Sequence, residues 1–294
     1  MQMSFQVSPR RVGALLSLML AAGCHVAQAK STSGEPGPAR AAALPAEPWW
    51  SAFHEQPLVE LQHAAAAHAG GGASLEIQVA SDYIGVRTIN VRAMLADEML
   101  RTILRQRQLM AGTAPLAAKT PPLAALDSEV AQARRRIADL VANRDALIED
   151  LARLCGNTPA AMRSQLQRVL ADPSIPVLDA APPAGGPVPG RSSDVFEAMQ
   201  VRDIEARQRD VQVRSEQTRT WSEIVRTRAL EVDAARQRMA LGAQPEFSVL
   251  ATYRVMLVDN DRLADAAGEL AKAWLQLHLH DAALPLQASG RLAD

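Results

Sequence analysis

His278 and His280, separated by Leu279, form the constellation in this 294-residue sequence that most invites a chemical reading. Imidazole nitrogens are common zinc ligands, and a structural zinc site gathers four donors around one ion. On a helix, side chains two residues apart point to different sides, so a metal shared by this pair needs a bend or a second chain. A surface role at a helix end is the plainer reading. Glu149 and Asp150 fall on polar helix faces with no acid/base partner in view. The phosphate-cradling motifs GxGxxG and GxxxxGK[ST] do not occur, and neither do GxSxG and HExxH, which present a nucleophile or a zinc site. Enzymatic activity, a cofactor and a metal site are therefore not expected.

The two cysteines carry a different chemistry. Arg10 and Arg11 precede an apolar stretch from Val12 to Ala22, too short to span a bilayer and the right length for a secretory h-region. Export is expected, with residues 1–23 as the signal peptide. "LAAGC", ending at Cys24, resembles a bacterial lipoprotein box. That box implies acylation of Cys24, and His25 in place of aspartate implies sorting to the periplasmic face of the outer membrane. Ordinary cleavage after Ala29, at "AQA", stays open. Lipidation of Cys24 leaves Cys155 without an intramolecular disulfide partner, so Cys155 reads as a small apolar packing residue.

The elements that would carry these residues are helices. Hydrophobic residues make up 48% of the chain and aromatics only 3%, while alanine, leucine, arginine and glutamine recur at helical spacing. A formal net charge of −1 supplies no field to draw the protein onto nucleic acid. Only three lysines occur, so the positive charge is nearly all arginine.

Residues 24–47, rich in proline, glycine, serine and alanine, are expected to form an extended tether. A first helical repeat is expected over residues 48–156. It opens with a short helix carrying Leu58, Leu61 and Ala65 on one face and ending at Gly70, Gly71 and Gly72. "SLEIQVA", Ser74 to Ala80, is the one candidate strand. From Ser81 a long helix follows, with Ile84, Ile89, Leu95, Met99, Ile103 and Leu104 in its stripe, and Gly112 stops it. Pro121 and Pro122 open a second helix whose seam is Leu126, Val130, Ala133, Ile137, Leu140, Leu147 and Leu151. Arg134 to Arg136 beside that seam read as a solvated face.

Residues 157–193 are expected to be a connector heavy in proline and glycine. A second repeat, 194–284, begins at a helix N-cap box of Asp194 and Glu197. Ile204, Val211, Thr218, Val225, Val232 and Met239 recur every seven residues, which predicts a single helix of about 45 residues, roughly 70 Å long. Gly242 and Pro245 turn the chain into a last helix, and residues 285–294 form a tail. The fold class is therefore all-α: two repeats of a long antiparallel helical hairpin, coiled-coil-like. A transmembrane barrel needs alternating strands of about ten residues and two aromatic girdles. One short candidate strand and few aromatics do not supply them.

Four stretches together resemble the TolC-like outer-membrane efflux channels: "EPWWSAFHEQPLVELQHAAAAH", "DLARLCGNTPAAM", "PGRSSDVFEAMQVRDIEARQRDV" and "RQRMALGAQPEFSVLATYRVMLVDNDRLADAAGELAKAWLQL". The resemblance covers most of the chain after Pro48. It implies a homotrimer, partnered by a periplasmic adaptor and an inner-membrane pump. It also implies docking of the adaptor at the two hairpin tips, here Gly112 and Leu241, Gly242, Ala243 and Pro245. The second tip, "RMALGAQPEFSVL", follows the family's turn closely, whereas the first, "MAGTAPLAAKTPP", departs from it with extra residues and prolines. The chain departs further in lacking both barrel excursions: three glycines stand in place of the first, and the helix runs straight from Val213 to Trp221 in place of the second. The expected function is a lipid-anchored helical component of an efflux system, contributing to substrate export. The alternative is a non-conducting coiled-coil scaffold or partner-binding lipoprotein derived from that fold. An adaptor's β-rich domains have no counterpart here.

Overall fold

The computed structural model describes residue 53, residues 55–113, residues 121–172, residue 174 and residues 195–288. The signal peptide, Cys24, the tether, most of the connector, Asp194 and the end of the tail lie outside the described residues. The fold class is all-α, as the helical periodicities predict. Among the described residues there are seven helices: α1 (Gln56–Ala69), α2 (Ala73–Thr113), α3 (Pro121–Leu154), α4 (Pro159–Gln165), α5 (Gln167–Ala171), α6 (Val195–Ala240) and α7 (Glu246–Ala288).

Pro57 starts α1, where a missing N–H costs nothing. Leu58, Leu61 and Ala65 are buried on its inner face, and Gly70 ends it in the left-handed region at φ 87°. Helix α2 begins at Ala73, so the candidate strand from Ser74 to Ala80 is helical, and the long helix starts before Ser81. Its apolar and polar residues alternate, but a lone strand would leave its backbone groups unpaired. The helical turn instead buries Val79 and Ala80 and lets the Gln62 amide donate to the Glu76 carbonyl at 2.6 Å.

The connector also differs from expectation, because residues 159–171 form α4 and α5. Met162, Leu166 and Val169 recur at helical spacing, and all three are buried. Thr158 caps α4 by accepting from the Ala161 N–H at 3.2 Å.

The four long helices form a layer in the order α3, α2, α7, α6; α6 packs extensively along α7 alone, while α3 packs along α2. Paired residues run in opposite order along each junction. Asn90 meets Arg144 and Arg107 meets Asp127 between α2 and α3; Arg92 meets Asp261 and Arg105 meets Glu246 between α2 and α7. Arg214 meets Glu269 and Arg228 meets Asp259 between α6 and α7.

As an inner helix of the layer, α2 is buried almost all round from Val79 to Ala96. Neighbouring backbones come close there: a Cβ on Gly85 would lie 2.7 Å from Leu147 Cδ1, and one on Gly268 would lie 2.4 Å from Thr88 Oγ1.

The largest core lies at one end, which we term the root. There α1, α4 and α5 cover the layer, and Leu58, Leu61, Tyr83, Ile84, Ile148, Leu151, Met162, Leu166 and Trp274 are fully buried. Each large side chain so buried contributes about 1.5–3 kcal/mol. Phe53 meets Trp274 edge to face at 5.3 Å, and Tyr83 is buried in the same core. Towards the other end the layer thins to smaller clusters, one joining α2, α6 and α7 and one joining α2 and α3.

Most residues of the expected stripes are buried. Leu104 and Met239 are exposed over more than a third of their surface, while Ile89, Met99, Ile137, Leu140, Leu147 and Thr218 are half-buried, Leu147 against the root core. Ile148, which was not in the expected seam, is fully buried. No described helix is long and apolar enough to cross a membrane.

Candidate functional site

The second hairpin tip is a turn set by backbone chemistry. Helix α6 runs out at Ala240, and Gly242 adopts φ 73°. The Ala243 N–H donates to the Arg238 carbonyl and the Gly242 N–H to the Met239 carbonyl, both at 2.9 Å. This is the Schellman arrangement, in which two otherwise orphaned carbonyls are satisfied by a residue that tolerates the left-handed region. The Pro245 carbonyl then accepts from Ser248 N at 3.1 Å and Val249 N at 3.4 Å, which opens α7. The Arg238 Nε donates to Gln244 Oε1 at 2.9 Å across the turn.

These bonds leave Leu241 at the apex with 83% of its surface in water.

Gly112 lies in the last turn of α2, exposed and with open space around it. Unlike Gly242, it is inside the helix, so the backbone does not require glycine there. The loop from residue 114 to residue 120, which would complete the first tip, lies outside the described residues.

Both glycines are nevertheless brought to the same end of the layer. Arg105 on α2 holds Glu246, the first residue of α7, through Nε to Oε1 at 2.8 Å and Nη2 to Oε2 at 2.9 Å. Gln106 donates to the Phe247 carbonyl at 3.3 Å and accepts from Arg254 at 2.9 Å. Gly112 is seven residues beyond Arg105, roughly 10 Å along the helix. Arg105, Gln106 and Glu246 were not among the sequence candidates, because a charge pair between distant helices leaves no local pattern.

The root holds a second polar assembly. Arg87, only 3% exposed, donates to Glu55 Oε1 at 3.2 Å, Asp172 Oδ2 at 3.3 Å, Ser174 Oγ at 2.7 Å and the Val169 carbonyl at 3.3 Å. The Tyr83 hydroxyl donates to the other Glu55 oxygen at 2.6 Å, and Asn90 donates to the Leu170 carbonyl at 2.9 Å. Burial and the neighbouring Glu55 raise the Tyr83 hydroxyl above the usual phenol range. Burial also pushes Asp172 upward, but Ser174 and Arg87 outweigh it and leave the carboxyl below its ordinary value. One guanidinium thus ties the chain before α1 and the chain after α5 to the inner helix.

Cys155 packs in the root core as the sequence suggests. Its thiol donates to the Leu61 carbonyl at 3.6 Å, and burial raises its pKa. The Arg134 to Arg136 run is exposed; Arg136 spans to Asp261 on α7 at 2.6 Å. Among the described residues no group of three or more histidine, cysteine, aspartate or glutamate side chains could hold a metal ion. The side chains of His278 and His280 lie outside the described set, as does Cys24.

No family model, curated protein or solved structure matches the chain.

Proposed function

We propose that the protein is a lipid-anchored helical component of a TolC-like efflux system, contributing to substrate export across the cell envelope. The observation that carries this reading is the open layer α3, α2, α7, α6, in which α6 packs along α7, α3 packs along α2 and reaches α7 through the Arg136–Asp261 and Glu129–Arg254 pairs, and both hairpin glycines lie at one end. A closed four-helix bundle would pack α3 against α6 and leave no edge. An open layer has two edges, and identical copies joined edge to edge form a ring where the rotation between them closes, as in the homotrimer of the resembled channels.

In this reading the root faces the lipid anchor on Cys24, and the tip at Leu241, Gly242, Ala243 and Pro245 points away from it towards a periplasmic adaptor and an inner-membrane pump. Leu241 supplies the apolar contact and the Schellman turn keeps it rigid. Gly112 lies on the adjoining first tip.

Native mass spectrometry of the lipidated protein, with and without detergent, tests the reading. A trimer is the expected result. A monomer would reduce it to a helical scaffold whose edges stay open to water.

A further inference from the structure

Two carboxylates are buried among the described residues, Asp82 and Asp259. Asp259 is paired with Arg228 and Arg262, whereas Asp82 has no cation within ion-pair distance among the described residues. Asp82 lies on α2, 5% exposed, and both its oxygens accept from a single donor, the Gln78 amide, at 2.9 and 3.1 Å.

The charged groups that face it are Asp150 and Arg153 from α3 and Lys272 from α7. Both cations are already committed: Arg153 holds Asp150 at 2.8 Å and Lys272 holds Glu269 at 3.2 Å. An ionised carboxylate in this position loses its hydration and gains one neutral hydrogen bond in return, so its charged form is disfavoured. A protonated carboxyl loses far less on burial and keeps one oxygen to accept from Gln78.

We propose that Asp82 is a proton-binding site that tightens the packing of α2 against α3 and α7 when neutral and loosens it when ionised. The sign follows from linkage. A carboxyl that holds its proton more tightly in the folded chain contributes stability present in full below its unfolded pKa, about 3.9, and lost as pH rises through its folded pKa. Acidification therefore strengthens this junction, opposite to the usual behaviour of a paired carboxylate. Burial is the largest influence and pushes the group in the required direction; the Gln78 bond opposes it, Asp150 adds to it, and Arg153 and Lys272 pull the other way, with the balance upward.

The test uses the full chain and the variant Asp82→Asn, which keeps the shape and cannot ionise. Urea unfolding is followed from pH 8 to pH 5 in both. At pH 8 the variant is expected to have a higher folded-to-unfolded ratio than wild type, by one factor of about ten for each unit by which the titration midpoint proves to be raised. The advantage should shrink as the pH falls towards 5. Amide exchange across residues 78–90, corrected for the intrinsic pH effect, should slow on acidification in wild type and stay level in the variant. A carbon-13 titration of the Asp82 carboxyl in wild type decides the matter even if the variant does not fold. A midpoint at or below the ordinary value, or a variant no more stable than wild type at pH 8, overturns the proposal.

Discussion

Arg105 and Glu246 meet through two parallel hydrogen bonds, at 2.8 and 2.9 Å, and so fasten the end of one hairpin to the start of the next helix. The pair is exposed enough that its net contribution to global stability is small, about 0.2–1 kcal/mol. Its structural effect is local. Glu246→Gln is expected to shift the urea midpoint slightly while speeding amide exchange across residues 241–249 several-fold. Unchanged exchange there would show that the Schellman turn alone holds the tip.

The glycines expected at the two hairpin tips should separate in a stability assay, and Gly156 at the root provides a comparison. Gly242→Ala keeps an open environment but forces a Cβ into the left-handed region, costing about 1–2 kcal/mol. Gly156→Ala, at φ 67°, carries the same backbone cost and also drives the Cβ to 2.5 Å from the His68 ring, so it should cost more. Gly112→Ala replaces a helical residue with space around it and should stabilise by about 0.5–1 kcal/mol. Urea denaturation of the three variants measures the order. A loss at Gly112 as large as that at Gly242 would mean that the first tip constrains the end of α2.

The parts of the fold legible in the sequence are those written in local periodicity. The heptad stripe from Ile204 to Val232 faces α7 because one helix meeting one partner buries one seam. Gly242 and Pro245 marked the second turn because their backbone chemistry is local too. Ser74 to Ala80 misled because alternation and helical spacing coincide over so few residues, and the helix is set by continuity with α2 and by packing in the root core. Met162, Leu166 and Val169 did carry a helix signal, but the prolines and glycines that follow them dominated the composition. The Arg87 assembly and the Arg105 pair could not be read at all. They join residues distant in sequence, and arginine and glutamate occur throughout the solvated faces.

Arg87→Met should be the most damaging substitution among the polar residues of the root. Methionine fills much of the same space but leaves Glu55 and Asp172 without their shared cation. Breaking a buried ion pair in this way costs about 3–5 kcal/mol, with the half-exposed Asp172 contributing the smaller part. Circular dichroism through a urea titration gives the value. A loss below about 1 kcal/mol, the range of exposed pairs, would mean that water replaces the lost partners and the assembly is looser than its distances indicate.

Cys155 should be chemically quiet in the folded chain. It closes α3 from within the root core, where its thiol donates to the Leu61 carbonyl and burial favours the protonated form. Thiol reagents attack the thiolate, so labelling of Cys155 at neutral pH is expected to be more than about tenfold slower in buffer than in denaturing urea. The comparison needs a form of the protein without a second free thiol, such as the chain lipidated at Cys24. Equal rates would place Cys155 at a solvent-accessible opening of the root.

Asp172 gives the root a dependence on acid whose direction is the reverse of the one at Asp82. Its folded pKa is lowered, because the bonds from Ser174 and Arg87 outweigh the effect of burial. The stability it contributes is present above the unfolded value, about 3.9, and is lost as pH falls through the folded value below that. Asp172→Asn should therefore be less stable than wild type at neutral pH, with the difference closing below pH 4. The carboxylate is about half exposed, so solvent screening keeps the effect modest. Hydrogen exchange at residues 166–172, measured between pH 6 and pH 3, localises it. A wild-type segment as protected at pH 3 as at pH 6 would show that the buried Met162, Leu166 and Val169 hold α4 and α5 without help from the guanidinium.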